Sequence, residues 1–323
     1  MQATIGFLMD PFEQLDSIDE DTSCVLAAEC LDRGHRVYYF QSGDLIQRNQ
    51  RTWATFRQIV GRREDGFVLE SPVLEPVDMC DAVFIRKDPP FNQEYLHATL
   101  LLDSAAGDCA VGGRRPVRMV NPPHVLRSVN EKLYPLRFPS CAPKTCVTRR
   151  VQALQEFLVE VDGSMVVKPL DECSGRGVIR LNRDETSLIS SLRRVTDEEQ
   201  TFVMAQEFLP DVHQGDVRVL MLDGEILGAM RRIPAEGDFR ANMHRGASIA
   251  PAQLTAAQRA LCRRLGPELH GEHIYLAGLD LVGDRLLEVN VTSPAGIPEI
   301  NRLAGVNLER RVIDWLEELL GGS

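Results

Sequence analysis

Gly278-Leu279-Asp280-Leu281-Val282-Gly283-Asp284-Arg285-Leu286-Leu287-Glu288-Val289-Asn290-Val291-Thr292-Ser293-Pro294 decides how the chain is read. Two apolar runs flank a Gly-Asp turn signal, the pattern of a β-hairpin. The runs carry Asp280, Glu288 and Asn290, and polar groups in strands that are otherwise buried are costly unless something pairs with them. Glu288 and Asn290 alternate on one strand and so share a face. Where Asp280 lies depends on the turn. A two-residue loop over Gly283 and Asp284 pairs Asp280 with Leu287 and puts Glu288 on the other face. A three-residue loop through Arg285 sets Asp280 directly opposite Glu288, where the two carboxylates repel unless a cation lies between them. An all-oxygen set with few protein ligands suits magnesium, with nucleotide phosphates completing the shell. The bland alternative is an exposed hairpin edge with solvated acids.

Working outward, the 323 residues suffice for a large core and about two domains at ~100–200 residues each. Composition is that of an ordinary soluble globular protein, with 44% hydrophobic and 26% charged residues. The net charge of -11 speaks against nucleic-acid binding, whose affinity comes from neutralising phosphates. It still permits a local basic pocket. The eight cysteines, among them Cys173, show no Cys-x-x-Cys spacing and no matching histidines, so neither a zinc site nor a redox pair is signalled. Free thiols in a reducing cytoplasm are the expectation. No basic segment precedes a long apolar run at the start, and no apolar run approaches ~20 residues, so no membrane partner is expected.

Residues 3–8 read as a buried strand, 18–33 as a helix stopped by Gly34, and 37–40 as the next strand. This βαβ unit implies a parallel sheet. Residues 42–80 read as a meander with strands at 52–60 and 66–69. A strand over 82–85 delivers Arg86-Lys87-Asp88-Pro89-Pro90-Phe91 to the end of the sheet where ligands bind in open α/β folds. That string is either an anion grip or a solvated loop. A helix over 92–104 and a strand over 117–120 lead to Asn121-Pro122-Pro123, a strong break. Beyond it come helices at 123–128 and from Asn130, the latter carrying Lys132, then a strand at 145–148 and a helix at 151–161. A strand over 165–170 holds Lys168 and runs into Asp171-Glu172-Cys173-Ser174-Gly175-Arg176-Gly177, a glycine-bearing turn able to form an anion nest. Lysine is a common phosphate point charge. A helix near 184–195 and strands at 201–206, 215–221 and 225–232 follow, with Arg218 on the second of these. Residues 234–252 show no period and hold Arg240, Asn242, His244 and Arg245; a loop this long is functional or mobile. Helices at 254–269 and 307–320 bracket the hairpin.

The strings Met9-Asp10-Pro11, Arg86–Phe91, Asn130-Glu131-Lys132-Leu133, Lys168-Pro169-Leu170-Asp171, Gly215-Asp216-x-Arg218, Arg232-Ile233-Pro234 and Gly278–Pro294 occur in an order that resembles the bacterial glutathione synthetases of the ATP-grasp superfamily. The resemblance covers nearly the whole chain. It implies an α/β and α+β architecture, an ATP-grasp fold behind an N-terminal parallel-sheet domain. The divisions would be 1–121 (substrate-binding), 122–205 (ATP-grasp, with both lysines and the glycine loop) and 206–323 (ATP-grasp, with the metal site). It implies an ATP-dependent ligase that phosphorylates a carboxylate and lets an amine attack the acyl phosphate. Lys132 and Lys168 would bind ATP phosphates under the loop of Ser174, Gly175 and Gly177. Gln206, Glu207, Phe208 and Leu209 would hold adenine, with Asp216 nearby. Arg218 would be catalytic, neutralising the acyl phosphate or the oxyanion. Arg86, Lys87, Asp88, Arg232, Arg240, Asn242, Arg245 and Ser293 would bind substrates, and Asp280, Glu288 and Asn290 would hold magnesium, or manganese.

Two places depart from the family pattern. The glycine loop differs from the usual Asp-Gly-Met-Gly-Gly, and residues 240–247 read Arg-Ala-Asn-Met-His-Arg-Gly-Ala rather than Arg-Gly-Asn-Leu-Ala-Ala-Gly-Gly. The added His244-Arg245 is similar to ligases that attach amino acids such as glutamate. The implied substrates are therefore ATP, γ-glutamylcysteine and glycine or another amine. A related ligase with another donor or acceptor is the second reading, and a catalytically silent nucleotide-binding regulator the third. The resemblance also implies a cytoplasmic homo-oligomer, a tetramer or dimer.

Overall fold

The computed structural model describes residues 2–15, 17–63, 66–106, 116–172, 175–241 and 246–322. Cys173, Ser174, Asn242, His244 and Arg245 lie outside the described residues.

The first sheet is built from β1 (Thr4–Met9), α1 (Thr22–Asp32), β2 (Arg36–Phe40), β3 (Leu45–Arg48), β4 (Arg51–Arg63), β5 (Gly66–Leu69), β6 (Val73–Pro76), β7 (Ala82–Arg86), α2 (Gln93–Ala106) and β8 (Arg118–Val120). Its order is β3-β4-β2-β1-β7-β8, with β5 and β6 also pairing with β4. Strand β1 runs parallel to β2 and β7, as does β7 to β8. Every residue of β1 is buried, which is why it reads as a continuous apolar run. Helix α1 starts later than its pattern suggests because Asp21 caps it, accepting from the Cys24 amide at 2.8 Å.

The second sheet follows α3 (Pro123–Ser128) and comprises β9 (Thr145–Thr148), α4 (Val151–Glu160), β10 (Ser164–Pro169), β11 (Ile179–Asn182), α5 (Leu188–Val195) and β12 (Val203–Glu207). Its antiparallel order is β11-β10-β12-β9. Leu154, Phe157, Leu158 and Leu192 of the two helices pack on Met165, Val167, Val203 and Ala205. The third sheet holds β13 (Asp216–Leu222), β14 (Glu225–Ile233), β15 (Ser248–Pro251), α6 (Ala256–Gly271), β16 (Leu276–Val282) and β17 (Arg285–Asn290), in antiparallel order β15-β14-β13-β16-β17. Helices α7 (Ile297–Ala304) and α8 (Leu308–Gly321) close the chain. Helix α8 returns to α1, where Arg33 bonds Asp314 at 2.7 Å and Glu317 at 2.9 Å.

The structure corrects one expected element. No helix begins at Asn130: its Oδ1 accepts from the amides of Lys132 and Leu133, both at 3.1 Å, and a single 3₁₀ turn follows at Tyr134–Arg137. A side chain that bonds its own following amides offers the backbone an alternative to helix. Residues 131–141 instead lie along β17, where Leu286 N donates to Cys141 O and Val289 N to Glu131 O. The pattern also did not mark β3, β6, β11, β15 or α7.

The hairpin resolves its two alternatives by combining them. Val282 pairs with Arg285 and Leu281 with Leu286, so the turn is the two-residue Gly283-Asp284. The register then shifts, and Asp280 pairs with Glu288 and Gly278 with Asn290. Leu287 is the extra residue, a β-bulge that moves the rest of β17 to the opposite face. The carboxylates face each other despite the short turn.

Candidate active site

Side chains at alternate positions of the third sheet project from one face. Arg218 on β13 is in register with Asp280 on β16, which is in register with Glu288 on β17. One step along, Asp216 on β13 opposes Arg232 on β14. The four innermost charges form a linked row, Arg218–Asp280–Arg232–Asp216. Arg218 bonds Asp280 through Nε at 2.5 Å and Nη2 at 2.9 Å. Arg232 bonds Asp216 through Nε at 2.8 Å and Nη2 at 2.6 Å, and its Nη2 lies 3.0 Å from Asp280 Oδ2. All four are buried. Burial alone would raise the Asp280 carboxyl, but Arg218 and Arg232 hold it far below the carboxylate range. Burial opposes the charge on Arg232, and Asp280 and Asp216 more than restore it. Bidentate geometry of this kind is what makes arginine tolerable in the interior.

The second sheet brings the lysines. Lys168 on β10 is buried, with Nζ 3.5 Å from Glu288 Oε1. Lys132, on the turn capped by Asn130, is also buried and donates to Glu172 O at 2.5 Å. One cavity between the sheets is lined by Lys132, Lys168, Asp216, Arg218, Arg232, Asp280, Glu288 and Asn290. Its walls include Gly175, Glu172 and Val178 from the glycine loop, Asp88 and Ser293 at one end, and Val166, Phe208, Leu209, Val212 and Leu287 as an apolar slot. Gly177 sits at φ +67°, and a Cβ there would meet Pro169 Cγ at 2.7 Å, so the loop folds flat on the strand end only with glycine. Arg180 stacks on Phe208 at 3.6 Å from the ring centre. In the slot, Gln206 Nε2 donates to Thr145 Oγ1 at 3.3 Å while its buried Oε1 has no partner among the described residues. The amides of Glu207 and Phe208 donate to Lys144 O and Ser164 O.

Of the expected substrate residues, Asp88, Arg232, Arg240 and Ser293 reach the cavity. Arg86 and Lys87 do not form an anion grip there. Arg86 is buried behind the 293–295 loop, donating to Ser23 Oγ at 3.0 Å and Pro294 O at 3.1 Å, and Lys87 pairs with Asp10 at 2.7 Å. Burial raises the Asp88 carboxyl, opposed by Ser293 and Arg86. Arg240 is held by Asp238, which it keeps down at about 2, and reaches Val178 O at 3.4 Å. The 234–241 segment thus touches the glycine loop. Sequence reasoning passed over Glu131, which lines the cavity. The only signal was its place in Asn-Glu-Lys-Leu beside Lys132.

Whether these groups suit a hard divalent ion can be judged from the donors. Glu288 has one oxygen near Lys168 and is otherwise unengaged among the described residues. Asn290 donates its amide nitrogen to Gly278 O at 3.0 Å and Asp280 Oδ2 at 3.2 Å, which leaves its carbonyl oxygen available. Asp280 differs, since both oxygens already accept from guanidinium groups. Glu288 and Asn290 fit such an ion, with Asp280 behind them.

Comparison with known proteins follows the same lines. The family model described as prokaryotic glutathione synthetase, N-terminal domain, matches residues 3–127, and that of the prokaryotic glutathione synthetase ATP-grasp domain matches 131–305. The chain is 36% identical over 320 residues to the glutathione synthetase of Coxiella burnetii, covering 98% of this chain and 97% of the relative. It is 38% identical over 316 residues to that of Gloeobacter violaceus, covering 97% and 96%. Among solved structures, the D-cycloserine synthetase DcsG superposes with a TM-score of 0.66 at 15% identity, covering 97% of this chain and 99% of that one. The ATP-grasp ligase PsnB with precursor peptide PsnA2 and AMPPNP gives 0.63 at 16% identity, covering 99% and 98%. These structural likenesses concern the fold alone, which is ATP-grasp.

Proposed function

The chain belongs to the prokaryotic glutathione synthetase family, and from that premise we propose how its cavity carries the ligation of γ-glutamylcysteine to glycine with ATP. It is an ATP-dependent ligase. The donor carboxylate attacks the γ-phosphorus of ATP and ADP leaves. The glycine amine then attacks the acyl carbon and inorganic phosphate leaves, giving glutathione. The observation that carries the residue assignment is the convergence of buried Lys132 and Lys168 on the Arg218–Asp280–Glu288 row.

Phosphoryl transfer of this kind depends on position and charge neutralisation more than on covalent chemistry. Lys132 and Lys168 hold the phosphates, and Gly175 and Gly177 let the loop lie over them; Ser174 belongs to the same proposal. The base enters the apolar slot by Phe208 and Leu209. Because the Glu207 and Phe208 amides are already bonded, its polar edge is met by Leu209, by backbone carbonyls and by the orphaned Gln206 Oε1. Asp216 acts through Arg232 rather than by touching the nucleotide. Arg218 and Arg232 face the acyl phosphate. Glu288 and Asn290, with Asp280, would hold magnesium or manganese, which when bound neutralises phosphate charge. Asp88, Ser293 and Arg240 line the donor and acceptor ends, while Arg86 and Lys87 act by holding the wall; Asn242 and Arg245 belong to the same proposal as acceptor-binding residues. The segments 1–121, 122–205 and 206–323 serve as donor, nucleotide and metal units. Family likeness further supports a cytoplasmic homo-oligomer, tetramer or dimer, which sedimentation would read.

Phosphate release from ATP with magnesium and γ-glutamylcysteine, with and without glycine, tests this reading. Glycine-dependent release and glutathione by mass spectrometry support it. Turnover with glutamate but not glycine would move the acceptor and keep the chemistry.

A further inference from the structure

The loop that leaves the metal strand, residues 291–297, is gripped from several sides. Asn121 Nδ2 donates to Val291 O at 2.7 Å, and Arg86 Nη2 donates to Pro294 O at 3.1 Å. Arg218 Nη1 donates to Ala295 O at 3.2 Å, and the amides of Gly296 and Ile297 donate to Thr22 Oγ1. One contact differs in kind. Glu131 Oε1 alone accepts from Val291 N at 2.9 Å, Thr292 N at 3.1 Å and Thr292 Oγ1 at 2.8 Å. Three donors on one carboxyl oxygen make a strong, directional anchor. The residue next along is Lys132, and the Glu131 carbonyl accepts separately from Val289 N.

Thr292, Ser293 and Ala295 form the cavity wall by Asp88, and Ala295 O holds one edge of Arg218. We propose that Glu131 is a positioning residue that sets this wall, and through it the donor carboxylate and Arg218, while leaving the nucleotide half of the cavity to the backbone. The division follows from which atoms are used. Removing the Glu131 side chain frees the 291–292 amides, but it leaves the Glu131 carbonyl on Val289 and the Asn130 cap under Lys132. The proposal rests on the ligase reading above, since it assigns the wall to the donor.

The tests use the full chain with Glu131→Ala, Glu131→Gln and Thr292→Val. For Glu131→Ala the expected result is a KM for γ-glutamylcysteine raised at least about tenfold and a lower kcat, with ADP affinity by titration calorimetry within about twofold of the parent. Glu131→Gln, whose amide oxygen accepts the same bonds, restores most of the loss. Thr292→Val, which removes one bond and no backbone partner, shifts KM in the same direction by less, and it carries the test should Glu131→Ala fold poorly. Hydrogen–deuterium exchange of residues 291–297 reads the grip without turnover: it quickens in Glu131→Ala and not in Glu131→Gln. Unchanged exchange, an unchanged donor KM, or an equal loss of ADP affinity overturns the proposal. A parent that makes no glutathione but shows the exchange pattern overturns the donor assignment while leaving the anchor standing.

Discussion

Asp280→Asn and Glu288→Gln should separate two carboxylates that face each other across one ladder. Asp280 lies among Arg218, Arg232 and Asp216, two positive and two negative charges that sum to zero in the interior. The asparagine variant leaves Arg218 buried without its paired carboxylate and Arg232 with Asp216 alone. Breaking a buried pair from one side costs about 3–5 kcal/mol. With roughly 2.1 cal/mol/K of unfolding entropy per residue, the whole chain unfolds with about 0.7 kcal/mol/K, so the melting temperature should fall by about 4–7 °C. Among the described residues Glu288 has a single ionic contact, to Lys168 at 3.5 Å, and its side chain is 24% exposed. Its neutralisation should cost under about 1 kcal/mol, a shift within about 2 °C. Activity should follow a different order. Glu288→Gln should lose on the order of 100-fold in kcat/KM while melting like the parent, because its free oxygen is the one offered to the ion. Differential scanning fluorimetry and coupled phosphate release on the same preparations read both effects. A melting temperature unchanged in Asp280→Asn would refute the argument that Asp280 links the two buried guanidinium groups. A Glu288→Gln enzyme with parental turnover would refute the placing of the ion.

Gly177→Ala should raise KM for ATP several-fold, since its Cβ would meet Pro169 Cγ at 2.7 Å in a backbone of φ +67°; unaltered ATP kinetics would mean that the loop lies elsewhere during turnover. Gln206→Leu removes the buried Oε1 acceptor from the base slot and should raise KM for ATP about 5–10-fold, near the value of one hydrogen bond, while leaving the donor KM alone. The Asp238 carboxyl, held down from 3.8 to about 2 chiefly by its hydrogen bonds with Arg240, stabilises the fold above its ordinary value and loses that contribution as pH falls toward 2. Melting curves between pH 4 and 2 should therefore fall less steeply in Asp238→Asn than in the parent, and parallel curves would count against the pairing.

In the first sheet β1 and β7 were legible because continuous apolar runs sit where they are buried, whereas the start of α1 was read too early because its Asp21 cap was not marked. The hairpin was legible only in part. Turn chemistry marked a turn at Gly283-Asp284 and left its length open, and Leu287 carries no mark of a bulge, because the extra residue is defined by its partners across the ladder. The helix expected at Asn130 failed for a local reason, the Asx turn that Asn130 makes with Lys132 and Leu133. Arg86 shows what such a string leaves open. Two adjacent cations before Pro-Pro look like a ligand grip, yet β7 buries Arg86 behind the wall and Asp10 takes Lys87. Composition shows that a charge is present; only tertiary packing shows which counter-charge it meets.

The same distinction bears on Arg218 and Arg232, which are paired yet not withheld from a ligand. A guanidinium has five N–H donors. Arg218 uses Nε and Nη2 on Asp280 and Nη1 on Ala295 O, three bonds in all. Arg232 uses Nε and Nη2 on Asp216 and Asp280, and among the described residues nothing engages its Nη1. Both side chains line the cavity. Asp216 and Asp280 therefore do two things at once. They offset the cost of burying two cations, and they fix each guanidinium plane so that the remaining N–H groups are held at the cavity surface. Donors fixed in advance need no reorganisation when charge develops, which is the condition under which electrostatic stabilisation is largest. A lysine in either place would lose the forked contact and with it the fixed plane. Arg218→Lys should accordingly lose catalytic rate far more than charge alone would predict.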